Sequence, residues 1–220
     1  MNNLLGIIIS ILFVFLIIGI STLLTRKNIL KDEGSRKFIH IGVSNWWILA
    51  MIFFDNNIYA SIVPALFIVL NYLSYRKNLF TAMERGGDKE DLGTVYYAIS
   101  LFILSILTFK DINYAYIGAL GILTMGYGDG LAAVIGKRYG RKKYKIFGST
   151  KSLIGSLTMF VVTFIVNLII LSIYNPTNII IYSFVLAVFA TLLELFTPKG
   201  FDNLSVPLGS SLIYYILAYL

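Results

Sequence analysis

Long apolar stretches separated by short polar breaks dominate the chain. Predominantly hydrophobic runs fall at about 4–24, 38–54, 58–75, 92–109, 113–136, 152–173 and 178–197, with a shorter eighth run at about 204–220. An apolar run of roughly 18 or more residues with few charges has the length of a membrane-crossing helix. The pattern therefore predicts an all-α polytopic membrane protein, a single bundle of about seven or eight transmembrane helices, with no room for a separate soluble domain. The first run is expected to remain as a helix. Met1, Asn2 and Asn3 carry no positive leader, and the apolar stretch is too long for a cleaved signal.

Composition agrees with the pattern. Of 220 residues 58% are hydrophobic and 13% charged, against about 25% charged in a soluble globular chain. There is no cysteine, which excludes disulfides and thiolate metal sites and leaves oxygen or imidazole as the ligands for any metal.

The net charge of +7 would suit a nucleic-acid partner, but its placement points elsewhere. With eight spans, alternate connections hold Arg26, Lys27, Lys31, Arg36 and Lys37, then Arg76, Lys77, Arg85 and Lys89, then seven bases between 137 and 151, then Lys199. The other set holds only Lys110. This asymmetry is what the positive-inside rule produces, with the basic loops cytoplasmic and both termini outside. The charge excess is topological, and no nucleic-acid partner is expected.

A few ionisable groups lie where the bilayer should exclude them, and these are the candidate chemistry. Asp129 falls about seven residues inside the end of the fifth run, roughly 10 Å deep at a rise of about 1.5 Å per residue. A charge at that depth is expensive unless it faces a cavity, pairs, or binds an ion. Gly126, Gly128, Gly130 and Gly136 surround it, and Lys137, Arg138, Arg141, Lys142, Lys143, Lys145 and Lys151 come after it. Small residues in membrane helices serve packing or close approach by a ligand. Beside an acid and many bases, they also fit a metal-bound polyphosphate. Residues 147–156 open the sixth span, where Ser149 or Thr150 is expected to cap the helix and present amides to an anion.

Arg36, Lys37 and His40 share a helix face by their spacing, and Ser44 continues it inward. The two bases also suit simple interfacial anchoring. Glu194 near the end of the seventh run and Asp202 before the eighth supply hard oxygens suited to magnesium. Pairing of Glu194 with Lys199, and helix capping by Asp202 and Asn203, are the structural alternatives.

In chain order, Arg36, Lys37 and His40, Gly128 through Gly136 around Asp129, Lys151 and Ser152 with Gly155 and Ser156, and Glu194 followed by Asp202, Asn203, Val206 and Pro207 resemble the CTP-dependent lipid kinases. That family includes dolichol kinase, phytol kinase and the yeast-type diacylglycerol kinase, and is similar more distantly to phosphatidate cytidylyltransferases. The resemblance spans about 34–209, and the sequence departs from it at Ile154, where many members carry Glu. It implies transfer of the CTP γ-phosphate to the hydroxyl of a membrane lipid such as a prenol or diacylglycerol. For that chemistry Asp129, Asp202 and Glu194 are the expected magnesium ligands, with Asp129, Glu194, Asp202 or His40 as the catalytic groups. Arg36, Lys37, Lys137, Lys151, Ser152, Asn203 and the amides near Gly128, Gly130 and Gly136 would hold the nucleotide, in a site at the cytoplasmic face. The alternatives are a cytidylyltransferase that releases pyrophosphate, and a small transporter or non-catalytic membrane protein. Clustering of the intramembrane polar groups on one side speaks against the last.

Overall fold

The structure, a computed structural model, describes residues 2–30, 33–77, 92–146, 149–198 and 200–220. Lys31, Arg85, Lys89 and Lys199 of the basic loops, and Phe147 and Gly148 of the 147–156 stretch, lie outside the described residues. The helices are α1 (Asn3–Arg26), α2 (Glu33–Ser44), α3 (Trp46–Phe53), α4 (Asn57–Lys77), α5 (Gly93–Thr108), α6 (Ala115–Leu123), α7 (Gly130–Tyr139), α8 (Leu153–Tyr174), α9 (Ile179–Phe196) and α10 (Asp202–Tyr219). Two short strands, β1 (Lys143–Ile146) and β2 (Ser149–Ser152), form an antiparallel hairpin between α7 and α8.

The fold is all-α and membrane-embedded, as the apolar pattern predicts. Among the described residues α1, α4, the Ile112–Tyr139 segment, α8 and α9 are long and apolar enough to cross a membrane, and α5 is a shorter apolar helix of 16 residues. The helices run alternately up and down. Asn57 donates to the Ile106 carbonyl (3.3 Å), Trp47 to the Ala115 carbonyl (2.9 Å) and Asn3 to Asp55 (2.9 Å), which ties these turns together at one end. The Tyr116 hydroxyl meets that of Tyr219 at 2.6 Å, bringing the last turn of α10 to the same end. The basic loops, with Arg26, Arg76, Lys77 and Lys137 in the last turns of their helices, occupy the other.

Two apolar runs depart from simple spans. The second is two helices, α2 and α3, because the side chains of Ser44 and Asn45 both donate to the Ile41 carbonyl (2.7 and 2.8 Å) and compete there with the backbone ladder. Tyr127 donates to the other end of the Asn45 amide (2.9 Å) and fixes the break. The fifth run stays helical but changes winding. Thr124–Asp129 is π-helical between α6 and α7, a widened turn within the run. A π turn carries an extra residue and rotates the next helical segment by about 100° relative to an unbroken α-helix.

Close packing explains the small residues. A Cβ on Gly118 would strike the Trp47 ring, and one on Gly121 the Pro207 carbonyl, so α6 lies directly against α3 and α10. That segment is the centre of the bundle: every residue of α6 is buried.

Candidate active site

At the basic end, α2, the π-helical turn, α7, the hairpin, α9 and α10 all contribute ionisable side chains to one region. The Arg36, Lys37 and His40 face predicted for α2 turns inward, and all three residues are at most 3% exposed. Such burial is more than interfacial anchoring requires. Asp129, the last residue of the π-helical turn, is 4% exposed and forms an ion pair with Lys37. Arg36 and Lys151 also act on its charge.

The basic loop carries the hairpin. Its strands pair Tyr144 with Lys151 and Lys143 with Ser152. The Tyr144 hydroxyl meets Ser156 Oγ on the first turn of α8 (2.6 Å), which anchors the hairpin to the bundle. Alternation along β2 leaves Thr150 exposed and directs Lys151 inward, where its ammonium forms an ion pair with Glu194 and donates to the Glu194 backbone carbonyl (3.0 Å). Glu194 is 5% exposed, and among the described residues its ion-pair partner is Lys151. Burial pulls the Lys151 pKa down, but the combined charges of Glu194, Asp129 and Asp202 outweigh it and leave the group above the ordinary lysine value.

The expected helix cap is corrected. Ser149 and Thr150 are strand residues, and Ser152 caps α8, its Oγ accepting from the Gly155 amide (3.1 Å) and lying 3.4 Å from the Gly136 carbonyl. Gly155 and Gly136 meet beneath it, with 3.1 Å from an added Gly136 Cβ to the Gly155 Cα.

These elements enclose a cavity of about 520 Å3. Lys37, Asp129, Lys151, Glu194 and Asp202 are on its wall, as are Gly136, Lys137 and Ser152. Lys143 of the basic loop, Ser149 and Thr150 of the expected cap, and Ser156 of the family motif line it too, although no individual nucleotide contact was expected of them. The Lys-Tyr-Lys-Ile alternation of β1 was the available signal for the hairpin.

Other expected nucleotide contacts fall outside the cavity wall. A Cβ on Gly128 would come within 2.8 Å of Met159 Sδ and Thr163 Oγ1 on α8, and one on Gly130 within 2.6 Å of Ile41 Cγ1 on α2. Both glycines are consumed by helix packing, and only Gly136 remains at the cavity. Asn203 donates to the Gly200 carbonyl (2.9 Å) and to Asp202 (3.2 Å), which shapes the α9–α10 turn where Gly200 adopts φ 84°. Arg36 and His40 stand behind the wall, His40 stacked on Tyr97 of α5 with ring centroids 4.8 Å apart.

Comparison with known proteins adds the decisive observation. The chain is 35% identical over 200 residues to a phytol kinase of Synechocystis, covering 90% of this chain and 85% of that one. The chain belongs to the polyprenol kinase family. An Arabidopsis phytol kinase, chloroplastic, is 28% identical over 88% of this chain and 69% of its own, and an Arabidopsis farnesol kinase, chloroplastic, 26% over 87% and 68%. No family model matches the chain, and no solved structure matches it.

For a polyprenol kinase the donor set is informative. Among the described residues no three His, Asp or Glu side chains gather as a ready metal cage. Magnesium, however, is commonly held by one or two carboxylates together with substrate phosphates rather than by a dedicated cage. Asp129, Glu194 and Asp202 influence one another's charge and share a cavity with lysines, so they fit that mode. The departure at Ile154 falls on an exposed side of α8 (38%), outside the cavity wall.

Proposed function

We propose that this protein transfers the γ-phosphoryl group of CTP to the hydroxyl of an isoprenoid alcohol, in the cavity at the basic, cytoplasmic end of the bundle. The observation that carries the reading is the pair of lysine–carboxylate contacts, Lys37 with Asp129 and Lys151 with Glu194, on the wall of one cavity. Membership of the family and the names of its phytol and farnesol kinases supply the acceptor class.

Phosphoryl transfer needs positioning and charge neutralisation more than covalent chemistry. Phosphate oxygens compete with the carboxylates for Lys37 and Lys151, and Lys137 and Lys143 extend the positive wall toward the opening. A lysine that turns to phosphate releases its carboxylate. Asp129, Glu194 and Asp202 are the residues that would hold magnesium, which when bound supplies neutralisation of the charge developing on the phosphates. The alcohol oxygen forms a bond to the γ-phosphorus as the bond from that phosphorus to the β–γ bridging oxygen breaks. The hydroxyl proton passes to a cavity carboxylate or to His40, and CDP departs with the electron pair of the broken bond.

The experiment identifies products and donor. Purified protein with CTP, magnesium and farnesol or phytol is expected to yield the lipid monophosphate and CDP. Pyrophosphate with a CDP-lipid, formed only when the lipid monophosphate is the acceptor, would instead establish a cytidylyltransferase. Equal turnover with ATP would overturn the donor assignment.

A further inference from the structure

A second cavity lies on the other side of α2 from the charged one, enclosed by α1, α2, α3, α4 and α5. Its walls are apolar over most of their extent, with Val14, Val43, Trp46, Val63, Phe67 and Leu101 among them. Its polar residues are His40, Asn71, Thr94 and Tyr97, and their order along the chain is telling. On α2, His40 is nearer the basic end than Val43, and Trp46 at the start of α3 lies deeper still. On α4, Asn71 is nearer that end than Phe67 and Val63. On α5, Thr94 and Tyr97 precede Ala98 and Leu101. Three independent elements thus give the cavity one polar end and one apolar end. The Asn71 amide donates to the Thr94 carbonyl (3.0 Å), which closes the polar end between α4 and α5.

The polar end adjoins the charged site. His40 lies one turn after Lys37 on α2, and its ring stacks on Tyr97 with an interplanar angle of 13°. Tyr97 in turn feels the charge of Asp129. His40 and Tyr97 therefore form the end of the apolar cavity nearest the charged site. Pro64, inside α4 and on the cavity wall, cannot complete the helical hydrogen bond to the Ala60 carbonyl, which loosens α4 where the cavity lies. An apolar void costs stability unless something fills it, and this one holds about 40 Å3. That is room for the head of a lipid alcohol and not for its whole chain.

We propose that this cavity receives the hydroxyl-bearing end of the isoprenoid alcohol, with the carbinol against the His40–Tyr97 stack and the first isoprene unit among Val63, Phe67 and Leu101. The inference rests on the kinase reading for the identity of the alcohol, and on the cavity alone for its place. Of the candidate proton acceptors only His40 lines this cavity.

The test maps binding separately from turnover. Full-length protein in detergent is irradiated with a farnesol analogue bearing a diazirine near the hydroxyl, and the labelled peptides are located by mass spectrometry. The expected label falls within 63–71 and 94–101, is competed by farnesol, and is lost in Ala98→Leu. Ala98→Leu and Leu101→Phe are also expected to raise the KM for farnesol about tenfold by filling the cavity while leaving the KM for CTP unchanged. Label confined to the lipid-facing sides of α8 and α9, or label and KM for farnesol untouched by both variants, would overturn the proposal and leave the cavity a packing defect at Pro64. The wild-type map keeps the test valid if a variant misfolds. Specific label at the cavity without any phosphorylated farnesol would refute the kinase reading and leave this site standing. Phosphorylation with the label elsewhere would do the reverse.

Discussion

Lys37 of α2 and Asp129 of the π-helical turn form an ion pair in which the two side chains are 4% and 6% exposed. A buried pair of this kind contributes little compared with an apolar pair of the same volume, but removing one partner strands the other charge, at a cost of about 3–5 kcal/mol. Lys37→Met and Asp129→Leu are each expected to lower the unfolding midpoint sharply. The double variant should recover most of the loss and remain inactive. Thermal unfolding and turnover of the three proteins check this; a double variant that is both stable and active would show the pair to be structural only.

The site's other pair gives a pH dependence. Because the folded pKa of Lys151 lies above its unfolded value, the stability from its charge is complete below the unfolded lysine pKa and is lost only as pH rises through the folded one. The gap in unfolding midpoint between wild type and Lys151→Gln should therefore stay constant from about pH 7 to about pH 9 and close only above about pH 10.4. A gap that closes near neutrality would contradict the assigned charge state.

Gly128 separates packing from nucleotide clearance. With Met159 and Thr163 against it, Gly128→Ala is expected to destabilise the protein by about 1–3 kcal/mol through overpacking. The KM for CTP should be unchanged in the protein that remains folded. A raised KM at unchanged unfolding midpoint would return the glycine to the nucleotide site.

Much of this arrangement was legible in the chain because a bilayer makes ionisable residues conspicuous. Arg36, Lys37, Asp129, Lys151 and Glu194 stand out against apolar surroundings, and their charge asymmetry puts them at one end. Their partners were not legible. Lys37 and Asp129 are 92 residues apart and Lys151 and Glu194 are 43 apart, so pairing depends on how α2, the hairpin and α9 meet. The π turn at Thr124–Asp129 shifts Asp129 off the face that α-helical periodicity assigns it. The hairpin was hidden for another reason: its one signal, the Lys-Tyr-Lys-Ile alternation of β1, covers four residues in a lysine-rich loop and is too short to stand out. Gly128 and Gly130 read equally well as packing or as clearance for a ligand, because small residues serve a neighbouring helix and a nucleotide alike, and the atoms facing them here belong to Met159, Thr163 and Ile41.

The magnesium assignment predicts that chelation abolishes turnover and that added magnesium restores it. Asp202→Asn is expected to raise the magnesium concentration for half-maximal activity on the order of tenfold or more, by analogy with other lost metal partners. Asp202 shares the cavity with Lys37 and Lys151, whose charges act on it, so the folded state of the variant is verified alongside its turnover. Turnover indifferent to both chelator and Asp202→Asn would remove the metal from the account.

The central claim is that phosphoryl transfer takes place in the cavity that Asp129 and Lys37 line. The most direct measurement is transfer of label from γ-labelled CTP to farnesol or phytol by wild type beside Asp129→Asn, each verified as folded. The account predicts labelled lipid monophosphate with wild type and a fall on the order of 100-fold or more in the variant. Transfer at a near-normal rate by Asp129→Asn would contradict it.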